Sequence, residues 1–312
     1  MRTYIDALHV GAGTQIGPIT TFPVWTTATA VPGLRAPAHA SVAITELAEP
    51  RVEALAVTNS GPDPVLLAEG TLLLGGWQTR VLARDAVITP RERIQVETTC
   101  VEAGRWGGGT DHSLSGRAPV RVIGELRGVR RPVHERLDRH HRQARVWDQV
   151  NEYEGTYGRR PTSSLADLME DDNDMPVRSA WRRLKAQLGA HAQSRLPGQS
   201  GIVIGILGQP VMLEVFPSVR LFAHHLPGLL RGLALDVVNV PIEPTPARRA
   251  RRFAERLMGA PLQAMEQIPG GTIYAASQGY LDVRALDARA GDREGSAHIL
   301  AINSKHDLVL AA

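Results

Sequence analysis

The 312-residue chain has one cysteine, Cys100. No intrachain disulfide can form, so nothing in the composition supports an oxidising compartment. Lysine is nearly missing: Lys185 and Lys305 are the only two. The basic residues are arginines spread along the whole chain, which fits genomic base composition better than a demand for bidentate anion contacts. Aromatic residues make up only 4%, so each Trp and Tyr needs a reason. The formal net charge of +3 is too small to imply a polyanionic partner. Long hydrophobic runs are also lacking. The most apolar stretch, GIVIGILGQPVMLEVF (201–216), is broken by Gly208 and Pro210 and is too short to span a bilayer. The opening MRTYIDALHVGAG has neither the apolar core nor the cleavage site of a signal peptide. These absences predict a cytoplasmic protein with no membrane partner.

The first third carries short runs rich in β-branched residues, such as ITTFPVWTTATA, VEALAVTN, TRVLARDAVI and RIQVETTCVE. Segments such as NSGPDP and ITPRER punctuate them. Strands without intervening helices predict an antiparallel sandwich or barrel-like layer. Residues 107–132 read as loop, with VRVIGEL as one strand. From Pro132, Val133, Leu137, Ala144 and Trp147 fall on one face at helical spacing. Further helices are predicted over VRSAWRRLKAQLG, over SVRLFAHHLPGLLRGLAL behind a Ser218 cap, and over TPARRARRFAERLMG. Strands GIVIGIL, VMLEVF, TIYAASQGYLDVRAL and AHILAIN complete the chain. The expectation is an α+β protein: a β-rich part, 1–130, and a mixed part, 131–312, packed as one unit.

Several patterns carry little. Gly11, Gly13 and Gly17 follow a strand, as in a dinucleotide-binding turn. Pro18, two threonines and Pro23 come next instead of the helix N-terminus that a phosphate needs, so a glycine-rich hairpin is expected. His134, Asp138 and His141 lie at i, i+4 and i+7, a spacing that can present metal ligands. Arg142 and Arg145 accompany them, which favours a solvated charged face, and no metal site is expected. The Arg-dense segments lack interleaved aromatics, which argues against nucleic acid.

TTCVEAGRWGGG (98–109) is the anomaly. Alternation puts Ile94, Val96, Thr98 and Cys100 on one strand face and delivers Glu102 to the same side. A carboxylate there is costly unless it is paired or reaches a cavity. Arg105 is its natural counter-ion and Trp106 can form a wall. Upstream, LLLGGWQTRVL places Gln78 and Arg80 at one parity behind the Gly75-Gly76 bend. The two segments are expected to pair and bring Gln78, Arg80, Glu102 and Arg105 together. A buried Arg–Glu network that merely fixes the fold explains the same residues. Cys100, with no histidine nearby in sequence, reads as a small core residue.

The same segments, with RQARVWDQV, resemble a bacterial and archaeal domain family named for its association with ADP-ribosylglycohydrolases and rhodanese-phosphatases. The resemblance rests on Gly75, Gly76, Gln78, Arg80, Cys100, Glu102, Gly104, Arg105 and Trp106. It implies a link to ADP-ribose and NAD processing, names no cofactor, and settles no reaction. Two functions therefore stay open, with a metal-dependent hydrolase using His134, Asp138 and His141 as a third and weaker one. In the first, the chain binds an ADP-ribose-, NAD- or nucleotide-like small molecule, with or without processing it. Gly75, Gly76, Gln78, Arg80, Arg105 and Trp106 hold the ligand, and Glu102 is the acid or base. In the second, it is a non-catalytic interaction or scaffold module whose Arg-rich helices dock a protein partner.

Overall fold

The computed structural model describes residues 5–37, 41–129, 139–158, 162–170 and 176–310. The chain opens with strands β1 (Leu8–Val10), β2 (Thr14–Ile16) and β3 (Ile19–Thr26). Eight more follow: β4 (Val42–Thr45), β5 (Ala54–Asn59), β6 (Val65–Leu67), β7 (Thr71–Gly75), β8 (Arg80–Leu82), β9 (Ala86–Ile88), β10 (Arg93–Cys100) and β11 (Asp111–Arg117). Four helices come next, α1 (Val120–Arg127), α2 (Arg139–Tyr157), α3 (Leu165–Glu170) and α4 (Pro176–Gln193). The hairpin β12 (Gly201–Ile206) and β13 (Gln209–Val215) precedes α5 (Val219–Asp236) and α6 (Ala247–Met258). The chain continues through β14 (Gln263–Ile268), β15 (Gly271–Gln278), β16 (Leu281–Ala290) and β17 (Arg293–Asn303) to α7 (Asp307–Leu310). The protein is α+β and β-rich, as the patterning predicts. Among the described residues no helix is long and apolar enough to cross a membrane.

Two antiparallel sheets organise it. Six strands close into a barrel in the order β10-β5-β4-β11-β7-β8. Nine form an open sheet, β1-β3-β12-β13-β17-β16-β15-β14, with β2 on β3. Strands from the first 30 residues thus pair with strands beyond residue 200, with Phe22 opposite Val203. The alternating rows of β4, β5, β8 and β10 put Ile44, Leu55, Val57, Leu82 and Val96 into one apolar cluster. The turn between β12 and β13 is Leu207-Gly208, both at positive φ, the conformation a two-residue hairpin requires.

The structure corrects the reading of residues 107–132 in two places. VRVIGEL is helix α1, not a strand. Six of its seven residues are buried, so no polar face survives to show a helical period. Its end signals were present: Pro119 precedes it, and Gly128, left-handed at φ 61°, closes it by donating to Glu125 and Gly124 carbonyls. The polar run Asp111–Arg117 is strand β11, because it fills the last place in the barrel between β4 and β7. Of the His134, Asp138 and His141 stripe, the first two lie outside the described residues. His141 is exposed on α2, and Arg142 pairs with Glu97 of β10.

Candidate functional site

β8 and β10 pair antiparallel with Cys100 opposite Arg80, which sets the two motif segments side by side at one end of the barrel. Glu102 continues the inward row of β10 and is buried. Its Oε2 accepts from Thr79 N–H at 2.7 Å and from Arg105 Nη2 at 2.6 Å, while Oε1 accepts from Arg105 Nε at 2.7 Å. Burial pushes the carboxyl up, but the Arg105 and Thr79 hydrogen bonds outweigh it and hold the pKa below the usual range. Arg105 has no N–H to spare. Nη1 donates to the carbonyls of Gly76 (2.7 Å) and Gly107 (3.2 Å), and Nη2 also donates to Gly75 O at 3.3 Å.

The glycines make that approach possible. Gly75 and Gly76 sit at φ 100° and 53°. A Cβ on Gly76 would lie 2.0 Å from His112 Nε2. Gln78 is buried and donates to Glu102 O at 3.2 Å. Arg80 is 0% exposed. It turns away from Glu102 to donate to Arg51 O (2.8 Å), Val52 O (3.2 Å) and Glu46 Oε1 (3.2 Å). Glu46 also receives Trp77 N–H at 3.0 Å and meets His112 Nε2 at 3.1 Å. This second ion cluster caps the apolar barrel row. Trp106 is 53% exposed and stands edge-on to Trp77, with ring centroids 5.2 Å apart. Cys100 is buried, its thiol donating to Glu102 O at 2.9 Å. Gln143 of α2 closes its backbone with a reciprocal pair of hydrogen bonds at 2.9 Å.

The structure thus brings Gly75, Gly76, Gln78, Glu102 and Arg105 together and places Arg80 in a neighbouring network with Glu46 and His112. Glu46 and His112 come from segments distant in sequence, and no spacing rule links them to the motif. A third network was also missed: Asp85, His298, Glu214 and Arg117 in a buried chain, with contacts of 2.8 to 2.9 Å. A carboxylate inside VMLEVF and a histidine inside AHILAIN were the available signals, since each interrupts an otherwise apolar strand.

Helix α6 carries the other concentration of charge. It buries Ala250, Phe253, Ala254 and Leu257. Arg249, Arg252 and Arg256 flank that stripe and line a hollow of about 460 Å³ with Lys305, Tyr280, Asn303 and Asp307. Arg249 donates to Gly208 O at 2.6 Å and Arg256 lies 4.8 Å over the Tyr280 ring. Among the described residues Arg252 and the Lys305 ammonium have no acidic partner. In a separate hollow of about 480 Å³, the cations are matched: Arg127 and Arg284 by Glu69, and Arg142 by Glu97.

Fold and site define a class: a closed barrel joined to an open sheet, with a carboxylate–guanidinium clamp holding a glycine loop at the barrel rim. The chain belongs to the family described as the ARG and Rhodanese-Phosphatase-superfamily-associated Protein domain (ARPP-1), whose model matches residues 7–299. ARG denotes ADP-ribosylglycohydrolase. No curated protein and no solved structure matches the chain.

Proposed function

We propose that the chain is a non-catalytic binding module of an ADP-ribosylation-linked system, and that it takes the phosphates of an ADP-ribose-like ligand in the α6 hollow. What carries this reading is the division of cations between the two sites. Every N–H of Arg105 has an acceptor inside the chain, and the Glu102 carboxylate already accepts three donors. That supports a clamp that fixes the fold in preference to an acid or base waiting for substrate. The uncommitted cations, Arg252 and Lys305, lie in a hollow whose volume suits a small molecule. Arginine and lysine around one hollow, with a single carboxylate among them, fit a diphosphate. The family's association with ADP-ribosylglycohydrolases supplies the ligand class.

Calorimetric titration with ADP-ribose tests this. The wild type is expected to bind it without turnover. Arg252→Ala combined with Lys305→Ala is expected to weaken binding about tenfold or more, the loss of charge-assisted hydrogen bonds. Glu102→Gln is expected to lower stability and leave the chemistry of ADP-ribose and NAD untouched, since there is none to lose. Wild-type hydrolysis of either compound, abolished by Glu102→Gln without a change in melting, would establish the catalytic reading instead. Binding that the double variant does not weaken removes the α6 hollow as the site.

A further inference from the structure

We propose that a second hollow, at the seam between β11 and α5, binds a small molecule through a phosphate or carboxylate group held by Arg117 and His225. The inference is independent of the α6 reading. The hollow has a volume of about 350 Å³. Leu114, His224 and Arg231, all partly exposed, line it together with the buried Arg117 and His225.

Arg117 is 1% exposed, and Nε, Nη1 and Nη2 all lack an aligned acceptor among the described residues. Nη1 is 2.8 Å from Glu214 Oε1, but the contact is an ion pair without an aligned N–H. A buried guanidinium with idle donors is rare, because each idle N–H has given up its water for nothing. His225 is 6% exposed, and its Nε2 also lacks a partner. Both residues line the same hollow, but their idle nitrogens are covered, as is the equally idle Glu214 Oε2, so the side chains must shift for a ligand oxygen to reach them.

The surroundings hold these groups in place. A break in register between Leu114 and Arg117, with Gly116 at φ 61°, turns Arg117 toward the helix. Gly228 lets the α5 backbone meet Gly116 directly: a Cβ there would lie 2.8 Å from Gly116 Cα. Phe216 is stacked between His225 and His298, at centroid distances of 4.6 and 4.4 Å. Behind Arg117, Glu214 is tied to His298 at 2.9 Å and His298 to Asp85 at 2.8 Å, so the guanidinium is anchored at its rear. Burial, then the charges of Arg117 and His224, hold His225 well below the usual histidine range. A neutral imidazole can place its one proton on Nε2 and donate to an oxyanion that also accepts from Arg117.

The test uses the full chain carrying Arg252→Ala and Lys305→Ala, so that anion binding in the α6 hollow is weakened. It is titrated with sodium phosphate and, separately, sodium acetate at fixed ionic strength against chloride, following the melting temperature. A saturable rise is expected with at least one anion. Phosphate alone assigns a phosphate ligand, and acetate alone a carboxylate. His225→Phe keeps a ring stacked on Phe216 and removes Nε2, while Arg117→Lys keeps the charge beside Glu214 and removes the fork. Each is expected to weaken the response about tenfold or more. His225→Phe alone decides the matter should Arg117→Lys not fold. Neither anion acting beyond chloride, or an unchanged response in His225→Phe, overturns the inference. Either result leaves the α6 reading untouched.

Discussion

At the scale of single residues, the lone cysteine gives the simplest check on how closed the motif region is. Cys100 is fully buried, and burial raises its pKa against the lowering effects of the Glu102 backbone N–H and Arg80. A thiol that is both covered and protonated is slow. The native protein at mildly alkaline pH is therefore expected to leave a thiol-specific chromogenic disulfide reagent unreacted, and to consume one equivalent once unfolded in urea. Fast native reaction would mean that the β10 end is open. Glu102→Gln belongs at this scale too. The new amide must face either Thr79 N–H or Arg105 with a donor of its own. The expected loss is toward the lower end of the about 3–5 kcal/mol typical of a broken buried pair, because Arg105 is one-third exposed. Strand parity made the inward carboxylate legible, and spacing made Arg105 legible as its partner. Thr79 N–H was not legible, because a backbone donor leaves no mark in side-chain chemistry. Glu46 and His112 were hidden for another reason: they meet Arg80 only once the barrel closes.

Among elements, the contact between α5 and β11 depends on two helical glycines. Sequence patterning places α5 and its Ser218 cap correctly, and Ser218 Oγ accepts from Leu221 N–H. It does not say which face must stay bare. A Cβ on Gly232 would lie 2.6 Å from Arg117 O, a backbone atom that cannot swing aside. Glycine to alanine inside a helix ordinarily gains up to about 1 kcal/mol. At Gly232 the overlap is expected to reverse the sign and cost about 1–3 kcal/mol. Gly189, inside α4 with nothing near its missing Cβ, is the control, and Gly189→Ala is expected to stabilise. Urea denaturation of both variants reads the difference. Equal, favourable shifts would mean that α5 can slide away from β11. The misread pair α1 and β11 teaches the same lesson. Burial on all sides erased the period of α1, and barrel closure drew a polar run into a strand. In both, tertiary context overrode local preference.

The molecule as a whole is joined by buried charge. β11 of the barrel contributes Arg117, the β8–β9 connection Asp85, and β13 and β17 of the open sheet Glu214 and His298. Patterning foresaw β13 and β17 but not β11, the β3–β12 pairing or this chain of charges, whose members are scattered over more than 200 residues. Its pH dependence follows from the shifts. Burial alone would lower His298, but Asp85 and Glu214 overcome it and raise the pKa from 6.5 to about 9. The stability it contributes is therefore complete below about 6.5 and is lost as pH rises through 9. Glu214 runs the other way. Burial would raise it, but Arg117 and His298 bring it from 4.5 to about 2, so its contribution is complete above 4.5 and is lost as pH falls through 2. Each shift corresponds to about 3 kcal/mol, but His298 and Glu214 share one contact, so the two figures do not add. Unfolding free energy from this network is thus expected to plateau between about pH 4.5 and 6.5 and to decline toward pH 9. His298→Gln, which leaves Asp85 and Glu214 without their shared cation, is expected to lower the plateau and flatten the alkaline decline. An NMR titration of the His298 imidazole reads the same quantity directly. A pKa near 6.5, with stability level from pH 6.5 to 9, would mean that His298 and its two carboxylates do not help to hold the barrel to the open sheet.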